Sequence, residues 1–314
     1  MHVFIVIPIH NHIAETLRCL GCLAAQTCTD HSVIVVNGGS TDGSAETIAR
    51  SYPEVVVIRG DASLWWTGAT ALGVSEARKR AIGGDFVLFL NNDTEVGPDY
   101  LTQLVKTSLD HNRALTGSLN VNRSDHGMII DSGVWWDWAA VRSQQVPIEP
   151  GATATDRVNT LSGRGMLVPI EVFERIGNLD VKGLPHYAAD YEFAMRAARA
   201  GFKLAISYNA IVRVDTTISG REENLATPVS LREAWFLLFS PRSMRNVIDR
   251  NRLISRACPA RYKLRNYFAV GAAACWLLTN VPGIYQVKHA VLQSILPARL
   301  KDWMRQRKLI SSPS

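Results

Sequence analysis

Short apolar runs alternate with amphipathic stretches along the first two thirds of the chain. The apolar runs predict strands at 3–7, 32–36, 55–59 and 85–90. The stretches between and after them have the spacing of helices, at 14–26, 41–51, 68–82 and 98–111. Strands that are apolar on both faces and alternate with helices predict a mostly parallel sheet that is covered on both sides. The pattern therefore predicts an α/β fold, Rossmann-like in its layering.

The pattern changes after this region. Between residues 117 and 158 the periodicity is lost, which predicts irregular or antiparallel structure. A helix is predicted within 186–204, and Gly201 follows it as the glycine that commonly ends a helix.

Polar loops follow three of the predicted strands, at 8–11, 37–44 and 91–95. In an open α/β sheet, ligands bind beyond the carboxyl ends of the strands, so three such loops favour a ligand site over ordinary turns. The second loop does not have the spacing of the dinucleotide-binding fingerprint, which argues against a hydride-transfer enzyme.

The loop at 91–95, "NNDTE", is rich in side-chain oxygens. Manganese and magnesium prefer oxygen ligands and often share one or two carboxylates with a bound phosphate. Asp93 is therefore a candidate metal ligand. The alternative is Asn/Asp turn chemistry ahead of the next helix.

Asp190 falls in the first turn of the helix predicted within 186–204. The helix dipole favours the ionised carboxylate there, and an ionised carboxylate can deprotonate a hydroxyl nucleophile. The alternative is a charge that only stabilises the helix start.

Composition narrows the class of protein. The 314 residues are 47% hydrophobic and 20% charged, which is typical of globular proteins. The net charge of +6 is concentrated in 242–308, where 14 basic and two acidic residues give +12. No nucleic-acid-binding motif accompanies that charge. The five cysteines include one C-x₂-C without a second ligand pair, so they predict reduced thiols rather than a zinc site.

The basic C-terminal region contains an apolar stretch at 267–278 that is too short to span a bilayer. Its basic flanks predict a segment lying in the membrane interface, with Tyr267, Phe268, Trp276 and Leu277 inserted. The alternative is a helical appendage that packs on the preceding domain or forms a dimer. The predicted domains are 1–220, which contains the α/β fold and the candidate site, and 221–314, a basic, helical C-terminal region that would lie in the membrane interface.

Six stretches together resemble a known family. They are "IVIPIHN", "VIVVNGGSTDGS", "LWWTGATALGV", "LFLNNDTEV", "LSGRGMLVPIEVFERIG" and "PHYAADYEFAMRAARAGF". In this order and spacing they resemble family 2 glycosyltransferases of the GT-A fold, with the bacterial rhamnosyltransferase-like members as the nearest type.

The resemblance implies roles for individual residues. It implies that the donor nucleotide sugar is bound by two strand-end loops, the segment beginning at residue 67, the asparagines of the metal motif and an arginine: Pro8, Ile9, Asn11, Asn37, Gly39, Thr67, Gly68, Asn91, Asn92 and Arg164. It further implies Asp93 and Asp215 as ligands of Mn²⁺ or Mg²⁺, and Asp190 as the general base. For Arg164, contact with a diphosphate and an ordinary surface arginine in a turn remain open.

The sequence departs from the family pattern at four of these places. Asn37 and Asn91 stand where aspartates are usual, Ala71 stands where an asparagine is common, and Ala189 replaces a glutamate. Glu192 is then expected to be the only other carboxylate near Asp190.

The implied activity is transfer of a sugar, with inversion, from dTDP-rhamnose or a UDP-sugar. The implied acceptor is a hydroxyl of a lipid-linked or growing cell-surface glycan. The expected location is the cytoplasm, peripherally on the cytoplasmic face of the inner membrane. The alternative is a catalytically silent nucleotide-sugar-binding protein, because the acidic motifs are depleted.

Overall fold

The computed structural model describes residues 1–125, 127–215, 229–297 and 299–300. The chain divides into two compact units, Met1–Ser219 and Gly220–Ser314. Separate roles for 1–220 and 221–314 stay a prediction.

The described part of the first unit contains the strands of one large sheet and a small hairpin. The strands are β1 (Val3–Ile9), β2 (His31–Asn37), β3 (Val56–Arg59), β4 (Phe86–Phe89), β5 (Thr94–Val96), β6 (Leu115–Asn122), β7 (Ile129–Asp131), β8 (Val134–Asp137), β9 (Arg142–Gln145), β10 (Ala154–Thr155), β11 (Met166–Pro169) and β12 (Leu204–Val214). The helices are α1 (Ile13–Ala24), α2 (Ser44–Ser51), α3 (Trp65–Arg78), α4 (Tyr100–Asp110), α5 (Ile170–Ile176) and α6 (Ala189–Arg199).

The large sheet has the order β10-β12-β6-β11-β4-β1-β2-β3, with β5 beside β12 and β7 beside β6. Strands β1, β2, β3 and β4 are parallel, as are β6 and β12, whereas β11 is antiparallel to both of its neighbours. The predicted α/β fold with a mostly parallel sheet is confirmed.

Successive residues of the central strands enter two different cores. In β1, Phe4 and Val6 pack with α3 and α6, whereas Ile5 and Ile7 pack with α1 and α4. This alternation follows from the two-residue side-chain period of a strand. Burial on both faces explains why these strands are apolar throughout, and it holds their carboxyl ends in a fixed arrangement.

Two expectations about element bounds are wrong. The helix expected at 68–82 begins at Trp65. The region after residue 117 contains the buried strand β6, which was not predicted because polar side chains alternate along it. Ser118, for example, bonds the Tyr100 hydroxyl at 2.8 Å and the Gly165 carbonyl at 2.8 Å, and these partners make its burial tolerable. The antiparallel structure expected there is present as the β8–β9 hairpin.

The described part of the second unit is helical, with α7 (Leu231–Phe239), α8 (Val247–Ala257), α9 (Ala260–Leu278) and α10 (Ile284–Ile295). Among the described residues, none of the helices is both long and apolar enough to cross a bilayer. Leu277 was expected to insert into a membrane, but it is only 2% exposed and packs in the core of this unit against Leu237 and Leu238. That expectation is wrong for Leu277.

Candidate active site

The loops that follow β1 and β2 are hydrogen-bonded to each other. The backbone amide of Asn11 donates to Ser40 Oγ at 2.7 Å, and the side-chain Oδ1 of Asn11 accepts from the backbone amide of Thr41 at 2.9 Å. The Gly38 amide donates to the Ile9 carbonyl at 2.8 Å. Because these bonds join the two loops, the candidate donor-binding residues at 8–11 and 37–39 lie side by side.

Asn37 and Gly39 shape the second loop. The Asn37 side chain is buried, and its Oδ1 accepts from the Ser40 amide at 2.8 Å. Gly39 has φ +77°, and a Cβ there would lie 3.1 Å from the Ala62 amide nitrogen. The loop therefore requires glycine at this position, both for its backbone angle and for the close approach of a neighbouring chain segment.

Thr67 and Gly68, which the family resemblance assigns to donor binding, lie in the first turn of α3. A Cβ at Gly68 would contact the Leu64 side chain at 3.3 Å, so this glycine serves helix packing. Thr67 is fully buried, and its Oγ1 has no hydrogen-bond partner among the described residues.

The polar side chains of the loop between β4 and β5 differ in their hydrogen bonding. Asn91 Oδ1 accepts from Trp66 Nε1 at 2.9 Å, and Asn92 Nδ2 donates to Thr16 Oγ1 at 2.9 Å. Both amides therefore fix the loop. The Asp93 Oδ1 atom, in contrast, is enclosed and has no hydrogen-bond partner among the described residues. A buried carboxylate oxygen without a partner is costly unless a ligand completes it.

The carboxylate oxygens of Asp93 suit a divalent cation that is also bound by a diphosphate. No group of three or more His, Cys, Asp or Glu side chains within the described ranges is placed to hold a metal by itself. Mg²⁺ and Mn²⁺ commonly take one or two carboxylates from the protein and further oxygens from a diphosphate. Asp93 is suited to that kind of site.

Asp215 follows β12, whose Val214 pairs with Thr94 in β5. This register brings Asp215 to the loop that carries Asp93. Its Oδ2, however, accepts from Arg123 Nη2 at 2.7 Å, and the same guanidinium binds Glu95 through Nη1 at 2.9 Å. Asp215 is therefore engaged in an ion-pair network, and its role as a metal ligand stays a prediction.

Trp66 connects the Asp93 loop with Asp190. Its indole N–H is bonded to Asn91, and its ring lies against Gly163, where a Cβ would be 2.5 Å from the indole. The same Cβ would be 3.2 Å from Asp190 Cβ. The absence of a side chain at Gly163 thus allows Trp66 and Asp190 to approach each other, and one indole separates the candidate base from the candidate metal loop.

Asp190 lies at the start of α6, and its carboxylate accepts hydrogen bonds from two backbone amides. Oδ2 accepts from the Gly163 amide at 2.7 Å, and Oδ1 accepts from the Tyr191 amide at 2.9 Å. Burial nevertheless raises the pKa of Asp190 above its ordinary value, and these bonds and the nearby Arg164 charge offset only part of that effect. We expected the helix start to keep this carboxylate ionised. Burial has the opposite effect, because it favours the protonated form.

Asp131 is a second carboxylate of the site that the sequence analysis missed. It ends β7 opposite Asn120 of β6, and its Oδ1 accepts from the Gly133 amide at 2.8 Å. Burial raises the pKa of Asp131, the Arg164 charge lowers it, and the Asp190 charge raises it further. Asp131 lies in the stretch without periodicity, so no local signal marked it.

Glu192 was expected to be the only other carboxylate near Asp190, and this is wrong. Its side chain is buried and bonded to Arg196, with 3.0 Å between Oε1 and Nε. The Arg196 guanidinium also donates to the Asn178 carbonyl at 3.0 Å. Glu192 therefore belongs to a structural ion pair.

Arg164 is half-buried and lies beside both carboxylates of the site. Asn120 Nδ2 reaches the Arg164 carbonyl at 3.5 Å, and the Arg164 charge lowers the pKa of both Asp131 and Asp190. Its Nε atom is enclosed and has no hydrogen-bond partner among the described residues. Arg164 is thus not an ordinary surface arginine, while its contact with a diphosphate stays a prediction.

Comparison with protein families matches residues 4–144 to the family described as Glycosyl transferase family 2. The chain is 31% identical over 112 residues to the uncharacterized glycosyltransferase YibD of Escherichia coli, covering 34% of this chain and 30% of that protein. It is 35% identical over 95 residues to the PGL/p-HBAD biosynthesis glycosyltransferase of Mycobacterium tuberculosis, covering 28% and 34%. An uncharacterized glycosyltransferase of Haemophilus influenzae is 26% identical over 202 residues, covering 61% and 60%. The chain thus spans less than two thirds of the length of each of these relatives.

Two solved structures share the fold. GalNAc-T7, crystallised with UDP, GalNAc and Mn²⁺, superposes with a TM-score of 0.58 at 17% identity, covering 85% of this chain and 54% of that one. Staphylococcus aureus TarS 1-349 superposes with a TM-score of 0.55 at 13% identity, covering 94% and 92%. Neither the relatives nor these structures test the rhamnosyltransferase-like subtype. The chain has the GT-A fold, and its residues 4–144 match the glycosyl transferase family 2 model.

Proposed function

We propose that the protein is an inverting glycosyltransferase. It transfers a sugar from a nucleotide diphosphate sugar, dTDP-rhamnose or a UDP-sugar, to a hydroxyl of a lipid-linked or growing cell-surface glycan. One observation carries the proposal: the Trp66 indole bonds the loop of Asp93, whose Oδ1 has no partner among the described residues, and packs against Gly163, whose amide orients the carboxylate of Asp190. A base for the acceptor on one side and an anchor for the donor diphosphate on the other are the two groups that direct displacement requires.

On the donor side, the joined loops after β1 and β2 would hold the nucleotide. Asn91 and Asn92 keep the Asp93 loop in place through their bonds to Trp66 and Thr16. A Mn²⁺ or Mg²⁺ ion bound at Asp93 would neutralise the charge that develops on the departing nucleoside diphosphate.

On the acceptor side, Asp190 would remove the proton from the attacking hydroxyl. The Gly163 and Tyr191 amides orient its carboxylate, so it meets the hydroxyl in one fixed geometry. Because burial raises the pKa of Asp190, the ionised form is a stronger base than an ordinary aspartate. A base that acts opposite the leaving group gives inversion at the anomeric carbon.

Thermal unfolding with a panel of nucleotide sugars tests this proposal. A donor that binds the folded state raises the melting temperature, and the increase should require Mn²⁺ or Mg²⁺. The stabilising sugar is then incubated with the protein and a lipid-linked glycan extract, and release of the nucleoside diphosphate is measured. Stabilisation without release would favour the silent binding protein, and no stabilisation by any member of the panel would contradict the proposal.

A further inference from the structure

Helix α9 has two apolar faces, and within the described residues one of them is buried and the other is exposed. Val270 and Leu277 face the core of the second unit together with the buried Asn266. Leu264, Phe268 and Leu278 lie on the opposite side of the helix at spacings of four and ten residues, and Leu264 and Phe268 are 83% and 78% exposed. An apolar stripe therefore runs along the outside of α9.

Helix α7 repeats this arrangement. Ala234, Leu237 and Leu238 are buried in the same core, whereas Leu231, Trp235 and Phe239 are exposed at intervals of four residues. Trp235 is 68% exposed, and its ring lies 4.5 Å from that of Phe239, so the two aromatic side chains form one projecting surface. Single exposed apolar residues are ordinary, but two stripes on neighbouring helices need an explanation.

The charge around the stripes indicates what covers them. Arg232 on α7 and Arg261 and Arg265 on α9 are exposed beside the apolar positions. Residues 229–297 contain ten Lys or Arg and two Asp or Glu, a net charge of +8. A second copy of this chain would bring the same positive charge to the interface, and like charges disfavour that pairing. An anionic partner with an apolar interior fits both the stripes and the arginines.

We propose that the exposed stripes of α7 and α9 bind an anionic lipid surface. Trp235, Phe239 and Phe268 would enter the boundary between headgroups and acyl chains, while Arg232, Arg261 and Arg265 would pair with lipid phosphates. The surface differs from the one expected from the sequence, because Leu277 is buried and Trp276 lies beneath the Lys288 ammonium at 4.4 Å. This inference does not depend on the catalytic proposal, and no glycosyl transfer is needed to test it.

The test is co-sedimentation of the full chain with vesicles of phosphatidylcholine alone or mixed with phosphatidylglycerol. The wild-type protein should bind the mixed vesicles at low salt and release as salt rises, because the Debye length shortens. The variant Trp235→Ser/Phe268→Ser should bind at least roughly tenfold more weakly, since it loses two interfacial anchors. Both positions are exposed, so the variant should keep the wild-type melting temperature.

Two control variants separate surface-specific binding from general effects. Ile82→Ser removes a side chain that is 72% exposed in the first unit, and it should leave vesicle binding unchanged. Arg265→Gln and Arg142→Gln remove equal charge, but only the former should weaken binding. A wild-type protein that stays in the supernatant with mixed vesicles at low salt overturns the proposal. A folded Trp235→Ser/Phe268→Ser variant that binds vesicles as tightly as wild type also overturns it. The same holds if sedimentation velocity shows that the variant has lost a dimer while its vesicle binding is unchanged.

Discussion

At the scale of single residues, the reactivity of the site depends on how Asp190 is held. Its two backbone bonds orient the carboxylate, and burial raises its pKa. Asp190→Asn keeps the shape and one acceptor oxygen but cannot take a proton. Transfer should fall by at least ~10²-fold, the usual scale for loss of a general base, while donor affinity stays near wild type. Steady-state kinetics together with donor titration measures both quantities.

Glu192→Gln is the matched comparison for that substitution. Because Glu192 forms a buried ion pair with Arg196, the change should lower the melting temperature and leave turnover per folded molecule largely intact. If Asp190→Asn weakens donor binding as much as it weakens transfer, Asp190 is a structural cap and not a base.

The charge of Asp131 should shift the pH at which the candidate site becomes active. If Asp190 is the base, the reaction requires its ionised form, so activity should rise with pH as that carboxyl loses its proton. The Asp190 charge raises the pKa of Asp131, and because like charges repel each other, an ionised Asp131 must in turn disfavour ionisation of Asp190. Asp131→Asn should therefore move the acid limb of the pH–rate profile to lower pH, whereas the exposed Asp156→Asn should not. An acid limb that does not move, in a folded variant, argues against this coupling.

At the scale of elements, the candidate donor-binding loop after β2 depends on a backbone conformation that a side chain would disturb. Gly39→Ala would strain a residue at φ +77° and bring its Cβ to 3.1 Å from the Ala62 amide nitrogen. The cost should be about 1–2 kcal/mol in the free energy of unfolding, with weaker donor binding. Gly83→Ala, with no atom within 4 Å of the added Cβ, is the control. Urea unfolding with and without donor distinguishes the two, and equal stability of the variants would contradict this role of Gly39.

Some strands of the sheet could be predicted from the sequence and others could not. Strands β1 to β4 were predictable because both of their faces are buried, which leaves apolar runs bounded by polar loops. Strand β6 was not, since its buried Ser118 is satisfied by partners distant in sequence, the Tyr100 hydroxyl and the Gly165 carbonyl. Such partners exist only once the chain has folded. Asp131 was missed for the same reason, because only the pairing of β7 with β6 brings it to Arg164.

The same limit applies to Arg164 and Glu192. A Gly-Arg-Gly sequence does not reveal whether the arginine lies at the surface or between two carboxylates. A helical Glu192 does not reveal that it faces Arg196 rather than the site. Spacing in the sequence identified the loops, and tertiary packing decided which side chains in them remain available.

At the scale of the whole molecule, each of the two units has its own hydrophobic core. A chain that ends at Ser219 should therefore unfold cooperatively and keep nucleotide-sugar binding, while losing binding to anionic vesicles. Thermal unfolding with donor, followed by vesicle co-sedimentation, checks both expectations. A truncated chain that still binds vesicles like the full chain would place lipid binding in the first unit.

The metal-dependent donor site at Asp93 is the central claim, and calorimetric titration tests it most directly. The stabilising nucleotide sugar is titrated into wild type, Asp93→Asn and Glu95→Gln, each with Mn²⁺ and with a chelator. Glu95 lies two residues further along, in β5, and is already paired with Arg123, so it is the matched control. We expect wild type and Glu95→Gln to bind the donor only with Mn²⁺, and Asp93→Asn to lose that dependence together with its affinity. Equal Mn²⁺-dependent binding by Asp93→Asn and wild type would contradict the account.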